Sequence, residues 1–344
     1  MFGDPAPYFA TAGVKNPRYV FDTAAGRYIL LAIVPAGPAV ARAVATLERR
    51  RAAFDDLHAC VFIVIVGRDE ERTKRKDSLP GLRFLFDEES SVAAAYEARD
   101  VERWHLIDPA LHFMAIVGPD QAESLVDRIP TLPPPGRHAG TEAPAPVLLA
   151  PRIFEPAFCE RLIACYRETG GAPSGFMREI DGVTRLMTDD NHKRRSDVIL
   201  EDAELQQQVV ARLTRRLIPQ IHKAFNYTAT RIERYLVARY DADTGGFFRP
   251  HRDNTTRGTA HRRFAVSINL NADYEGGDLR FPEFGPRTYR PPPGGAVVFS
   301  CSVLHEATAV TRGERFAFLP FLYDEAAAEI RQANLKYLDP ALSA

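Results

Sequence analysis

Over roughly its first third the chain alternates between short unbroken apolar runs and segments whose apolar positions recur every three or four residues. Arg27 to Val34 is the first run. An amphipathic stretch from Pro38 to Asp56 follows, then Cys60 to Val66, a short charged segment, Leu82 to Phe86, a helical pattern near Ser90 to Ala98, and His112 to Val117. Continuous Ile/Val/Leu runs without polar alternation are strands covered on both faces, and intervening helices provide the cover. The pattern predicts an α/β layer with parallel pairing.

The second half has a different texture. It opens with helical patterns, Glu155 to Thr169 with Phe158, Leu162 and Cys165 on one face, and a longer one near Ala203 to Phe225. In the latter, Leu205, Val209, Leu213, Leu217 and Ile221 recur every four residues, a core-packing stripe, and Pro219 is expected to kink its end. Short strands then follow one another: Ile232 to Tyr240, Phe264 to Leu270, Asp278 to Phe281, Arg287 to Arg290, Ala296 to Ser300 and Arg315 to Tyr323. Gly276-Gly277 and Gly294-Gly295 supply turns, and neither pair opens a helix as a phosphate loop would. Short strands with Gly/Pro turns suggest a sandwich or jelly roll packed on the preceding helices.

Between the halves, six prolines fall in the 17 residues from Pro130 to Pro146. Proline removes backbone donors and restricts its predecessor, so 130–147 reads as a semi-extended linker between domains at 1–129 and 148–344. A length of 344 residues agrees with about two domains, and 45% hydrophobic with 26% charged residues is the balance of an ordinary globular protein. Lys+Arg of 44 against Asp+Glu of 45 leaves a formal charge of -1, which argues against a nucleic-acid or anionic-membrane partner. The longest apolar stretch, Tyr28 to Ala41, contains Pro35 and Pro38 and is too short to span a bilayer. Cys60, Cys159, Cys165 and Cys301 include no CxxC pair, and the amino terminus lacks the basic and apolar regions of a signal peptide. Reduced thiols and a cytoplasmic location are the expectation.

Candidate chemistry concentrates in the β-rich region. His251 and Asp253 stand in Phe247-Phe248-Arg249-Pro250-His251-Arg252-Asp253, and His305 in Val303-Leu304-His305-Glu306. Two imidazoles and one carboxylate on one face form the triad of non-haem Fe(II), which leaves positions open for a cosubstrate and O2. In a strand, residues 251 and 253 point the same way, and His305 from another strand completes the face. HxD alone is a weak signal. Its combination with a later histidine and with Arg315, ten residues beyond His305, is stronger. A guanidinium there can hold a carboxylate by two parallel charge-assisted hydrogen bonds, which suits the distal end of 2-oxoglutarate.

From about Pro151 to Tyr323 the chain resembles the Fe(II)/2-oxoglutarate dioxygenases of the prolyl 4-hydroxylase type, through RYDADTGGFFRPHRDN, INLNADYEGGDLRFPEFG and PPPGGAVVFSCSVLHEATAVTRGERFAF in that order. The resemblance implies a double-stranded β-helix, with His251, Asp253 and His305 as catalytic iron ligands and Arg315 at the cosubstrate carboxylate. It gives Tyr240 a place in the cosubstrate pocket, against the plainer reading of a core tyrosine. Asn269 stands where several family members carry tyrosine; by alternation with Ile268 and Leu270 it lines the pocket or lies on a solvated polar face. The family's halogenating variants lack the carboxylate ligand, so the presence of Asp253 favours hydroxylation.

The amino-terminal half, roughly Gly3 to Asp120, fits a thioredoxin-like fold and resembles its peroxiredoxin branch, through GDPAPYF, FLFDEESSVAAAY and HFMAIVGPDQ. The family's reactive cysteine is missing from Ile33-Val34-Pro35-Ala36-Gly37-Pro38-Ala39, and attack on peroxide requires that sulfur. Cys60 reads as a buried structural cysteine. The domain is therefore expected to be catalytically degenerate and kept for docking, solubility or substrate presentation.

The combined expectation is an Fe(II)-, 2-oxoglutarate- and O2-dependent hydroxylase of an unactivated C–H bond, yielding succinate and CO2, with ascorbate as a candidate reductant. A prolyl or other side chain of a peptide or protein is the first substrate class, and a free amino acid or small metabolite is the alternative. A redoxin-like binding or sensing module is the non-enzyme reading, against which an intact triad argues. Lys193-Arg194-Arg195 and His261-Arg262-Arg263 with Arg257 read first as solvated surface charge and otherwise as a basic rim. His192 and the remaining histidines show no ligand spacing, and Trp104 is expected to pack locally.

Overall fold

A computed structural model describes residues 2–342. The chain divides into two compact units, Met1–Ala145 with Pro282–Pro286, and Pro146–Phe281 with Arg287–Ala344.

In the first unit the strands Tyr28–Pro35, Ala59–Val66 and Leu82–Asp87, the first two uninterrupted apolar runs, pair in parallel at the centre of a seven-stranded sheet. Leu30, Ala32 and Val34 lie in one buried cluster with Val40, Ala43 and Leu47 of the helix Pro38–Glu48, whose i, i+3, i+7 spacing turns one stripe to the sheet. That helix stops at Glu48, short of the expected Asp56. The sheet continues through Arg103–Ile107 and Phe113–Val117, both antiparallel, so pairing is parallel only at the centre. Arg103–Ile107 has no counterpart among the apolar runs read from the sequence. It carries Trp104 into the core, with its indole N–H donating to Glu102 2.9 Å away. Short strands Ala10–Gly13 and Tyr19–Val20 extend the other edge, also antiparallel, and a parallel core with antiparallel edges and flanking helices is a thioredoxin-like arrangement. The turn from Pro35 into the helix at Pro38 holds no thiol, and Cys60 is buried in the neighbouring strand, where burial pushes its thiol up to about 12.

The second unit holds two principal antiparallel sheets, and consecutive strands alternate between them. Leu236–Asp241, Phe264–Asn269, Ala296–Ser300 and Glu314–Phe318 belong to the larger; Phe247–His251, Leu279–Arg280 and His305–Ala307 to the smaller. This alternation is the winding of a double-stranded β-helix, the jelly roll. One face of the larger sheet, with Val237, Val266, Ile268, Phe316 and Phe318, lies in a single cluster with Leu162, Leu205, Val209, Leu213, Leu217 and Ile221 from the helices. The period of two along each strand sends the alternate residues, Tyr240, Ser267, Asn269 and Arg315, to the opposite face.

Three details differ from the sequence reading, each for a local reason. The long helix is Ala203–Arg212 and Ile218–Phe225 joined by a π-helical turn at Leu213–Leu217, because Pro219 has no N–H to give the Arg215 carbonyl. The expected strand Ile232 to Tyr240 is Arg231–Glu233 and Leu236–Asp241, broken by Arg234 at φ 66°. Arg315 to Tyr323 is likewise two strands, Glu314–Phe318 and Phe321–Tyr323, with Pro320 between them unable to donate to a ladder. A hairpin, Phe176–Ile180 with Val183–Met187, and a carboxy-terminal helix, Glu325–Asn334, complete the unit.

Candidate metal centre

His251 ends the strand Phe247–His251 and pairs directly with His305 of the neighbouring strand. Asp253 is not in that strand, so the shared direction expected from strand alternation is not what aims it. It lies in the following turn, where its N–H donates to the Cys301 carbonyl at 2.9 Å. The three side chains nonetheless converge. His251 Nε2 is 3.6 Å from Asp253 Oδ1, His305 Nε2 is 3.3 Å from Asp253 Oδ2, and one ligand atom from each lies within 4.8 Å of the others. Bonds of about 2.1 Å place cis ligand atoms about 3 Å apart, so the cluster needs little movement to close on a first-row dication.

Outer contacts prepare the imidazoles for this. His251 Nδ1 donates to the Arg249 carbonyl at 2.7 Å and His305 Nδ1 to that of Val303 at 3.0 Å. Each bond fixes the proton on Nδ1 and leaves the Nε2 lone pair facing the carboxylate. Phe248 stacks on His251 with ring centroids 3.5 Å apart, and Phe299 lies 4.5 Å from His305. Burial, with His305 alongside, pushes His251 down to about 4, so it is neutral at physiological pH. Two imidazoles and one carboxylate are the donor set that suits Fe(II) with open positions, and the residues fit that ion.

On the same inner face, Arg315 is buried and paired across the sheet with Tyr240. Its Nη2 donates to Ser267 Oγ at 2.7 Å and its Nε to Asn269 Oδ1 at 3.2 Å. Among the described residues no carboxylate pairs with it. Asn269 is 1% exposed, which removes the solvated-face alternative. Its Nδ2 donates to Tyr274 Oη and to the Pro291 carbonyl at 2.8 and 2.9 Å, so the amide oxygen is turned toward Arg315. The Tyr240 ring lies 5.3 Å from the Arg315 guanidinium and 5.8 Å from that of Arg195. Gly277, at φ 69°, lets the chain pass close by, since a Cβ there would meet Val310 at 2.7 Å and Arg315 at 3.2 Å.

Several residues of this neighbourhood escaped the sequence reading. His192 lies between Phe176 and Phe248, with ring centroids at 4.5 and 5.4 Å. Lys193, His261 and Arg262 are buried, contrary to the solvated-charge reading, and Arg195 is nearly so, at 5% side-chain exposure. Each has a partner that removes it from water: Arg195 grips Asp197, and His261 and Arg262 both bind Glu233. Arg194 and Arg257 are exposed, as expected. The alternation of charge at 193, 195 and 197 was the available signal, since a period of two marks one face of extended chain.

No described helix is long and apolar enough to cross a membrane. Residues 235–323 match the model of the 2OG-Fe(II) oxygenase superfamily. A PKHD-type hydroxylase from Shewanella frigidimarina is 30% identical over 135 residues, 39% of this chain and 56% of that protein. Another from Bordetella pertussis is 33% identical over 119 residues, 31% of this chain and 50% of the relative. The chain thus spans about half the length of these curated relatives. Among solved structures, a Pseudomonas putida prolyl-4-hydroxylase is 19% identical and covers 53% of this chain and 94% of its own, at a TM-score of 0.40. The thioredoxin domain of a thiol-disulfide oxidoreductase from Bacteroides vulgatus is 20% identical and covers 37% of this chain and 96% of its own, at a TM-score of 0.32. Residues 235–323, which include the His-Asp-His cluster and Arg315, thus match a 2OG-Fe(II) oxygenase domain, a family whose cofactor set is Fe(II), 2-oxoglutarate and O2.

Proposed function

We propose that residues 148–344 form a dioxygenase that hydroxylates an unactivated C–H bond, with a prolyl or other side chain of a peptide or protein as substrate. The observation that carries this reading is the pairing of two features in one jelly roll: a His-Asp-His cluster with both Nε2 lone pairs turned inward, and a buried Arg315 that no carboxylate among the described residues pairs with. Fe(II) with 2-oxoglutarate and O2 supplies an oxidant able to place one oxygen atom on carbon, while the cosubstrate leaves as succinate and CO2.

The roles of the chain's own residues follow from their placement. His251, Asp253 and His305 hold the metal on one face and leave the rest open. Arg315 takes the distal carboxylate of the cosubstrate; Ser267 and Asn269 fix the guanidinium, and Tyr240 and Tyr274 wall the pocket. Exclusion of bulk water strengthens each of these interactions. Asp253 occupies the position that a halide would need, which favours hydroxylation.

The first unit, lacking a thiol at its first strand-to-helix turn, serves docking or presentation of the substrate. Four unpaired cysteines suit a reducing compartment, the cytoplasm. The test is incubation with Fe(II), 2-oxoglutarate and O2 against a proline-rich peptide panel and a metabolite panel, reading succinate and a product heavier by one oxygen. Turnover on a peptide that His251→Ala abolishes supports the reading; turnover confined to metabolites overturns the peptide assignment.

A further inference from the structure

Five buried or half-buried cations, Lys193, Arg195, Arg234, Arg262 and Arg315, stand in the unit that carries the metal cluster, and described carboxylates form ion pairs with only two of them. Arg195 gives two bonds to Asp197, at 2.7 and 2.6 Å, and Arg262 two to Glu233, at 2.9 and 2.5 Å. Arg315 waits for the cosubstrate, and Asp253 for the metal. Lys193 and Arg234 remain. The Lys193 ammonium donates only to neutral oxygens, Ser174 Oγ at 2.7 Å and the Gly175 carbonyl at 2.5 Å. Arg234 has no described hydrogen-bond or ion-pair partner, and its Nε is buried without one.

Arg262, which shares the Phe321 ring with Arg234, donates to the Asp253 carbonyl at 3.4 Å. Lys193 lies within electrostatic range of Arg195, Asp197, Arg234 and Asp253, and Arg234 within range of Arg262, Glu233, Arg195 and Asp253. Among these groups five cations face three carboxylates, Asp197, Glu233 and Asp253. Lysine can shed a proton under such pressure, whereas arginine in practice cannot.

The backbone makes the case sharper. Arg234 interrupts the strand from Arg231 to Asp241 at φ 66°, a left-handed conformation rare for a long side chain. The break turns its guanidinium over the Phe321 ring at 4.2 Å, where Arg262 already sits at 4.1 Å. Like charges on one ring repel. Burial, with Arg262 next in weight, pushes Arg234 down to about 10, as expected of a cation short of an anion. A strained backbone that delivers a guanidinium with no described hydrogen-bond partner to a ring already occupied by Arg262 is a cost to folding, and such costs persist where a ligand repays them.

We propose that Arg234 is a recognition residue for a carboxylate of the substrate, so that the hydroxylated molecule carries an acid near its target C–H bond. The inference rests on the dioxygenase reading above. An acidic side chain next to the target residue of a peptide and the free α-carboxylate of an amino acid offer the same chemistry, and the probes separate them.

The experiment uses the full chain loaded with Zn(II) in place of iron, saturated with 2-oxoglutarate so that Arg315 is filled, and labelled with 15N at arginine Nε. The Arg234 signal is the one absent from Arg234→Asn, a substitution whose short polar side chain tolerates left-handed backbone. Two matched pairs are titrated: N-acetyl-Glu-Pro-amide against N-acetyl-Gln-Pro-amide, and L-proline against L-prolinamide. The acidic member of one pair should shift the Arg234 signal and bind about ten-fold or more tightly than its amide, the size of one charge-assisted hydrogen bond in a water-poor site. The pair that responds names the source. Arg234→Asn should erase the preference and Arg234→Lys should keep part of it. Acid and amide acting alike, no shift with any probe, or a preference that survives Arg234→Asn overturns the proposal.

Folding and the underlying reading are checked separately by anaerobic Fe(II) and 2-oxoglutarate, which should give the same visible absorption in wild type and Arg234→Asn. Absorption in wild type without an acid preference defeats the subsite alone; no absorption in wild type defeats the dioxygenase reading and the subsite with it.

Discussion

Replacing Arg315 by methionine tests the cosubstrate half of the site most sharply. The guanidinium is 2% exposed, donates to two neutral oxygens and faces no described carboxylate, so its charge has no protein counterion to lose. A bidentate bond to the distal carboxylate is worth about 1.5–3 kcal/mol per charge-assisted contact before non-additivity, or about 3 kcal/mol in all. That predicts a KM for 2-oxoglutarate roughly a hundred-fold higher in Arg315→Met. Metal binding should persist, because none of the three ligands contacts Arg315. The apo protein should lose little stability, since the substitution removes a buried unpaired charge and fills much the same volume. Succinate release against cosubstrate concentration measures the first effect, and thermal unfolding without cosubstrate measures the last. An unchanged KM would refute the assignment of Arg315, whereas a collapse of apo stability would show the arginine to be structural.

Further outcomes follow from the same geometry. Asn269→Asp sets a carboxylate against Arg315 and supplies the missing anion internally; KM for 2-oxoglutarate should rise about ten-fold while the melting temperature holds, and a fall in KM contradicts this. His105 and His192 are each pushed down to about 4, His105 by burial and His192 by burial with Arg178 beside it. The unfolded chain therefore takes up protons between about pH 6.5 and 4 that the folded chain refuses, so stability falls as pH falls through that window. The loss is on the order of 2–3 kcal/mol at fully buried His105, and His105→Phe should flatten the slope in urea titrations at pH 7, 5.5 and 4.5. Burial holds Cys60 and Cys159 up at about 12 and 11 and Cys301 well above its ordinary value, so a thiol reagent should reach only Cys165 quickly in the native protein. Rapid modification of Cys60, or peroxide turnover, would reopen a redox role for the first unit.

What could be read from the sequence divides along the range of the interactions involved. The clustering of His251, Asp253 and His305 was legible because these residue types suit metal chemistry, and the candidacy of Arg315 because it stands near the start of a strand ten residues beyond His305. The parallel strands Tyr28–Pro35 and Ala59–Val66 were visible because burial on both faces leaves no polar residue in the run. The exact aim of Asp253 was not, since it depends on a backbone bond to Cys301, far along the chain. Buried charge was misread for the same reason: Glu233 neutralises Arg262 across 29 residues, and no local pattern reveals that a charged residue will find its partner. Arg234 is the clearest case. Nothing in Arg231 to Asp241 marks a left-handed arginine, because the residue there violates its own backbone preference. Such violations are where local rules are expected to fail at functional sites.

The central claim, that His251, Asp253 and His305 hold Fe(II) with 2-oxoglutarate bound beside it, is tested most directly by anaerobic titration of Fe(II) into protein with excess 2-oxoglutarate. The account predicts a visible metal-to-ligand absorption that saturates at one iron per chain in wild type and is absent from folded His305→Ala. Equal absorption in the two proteins, or none in folded wild type shown to contain iron, would contradict it.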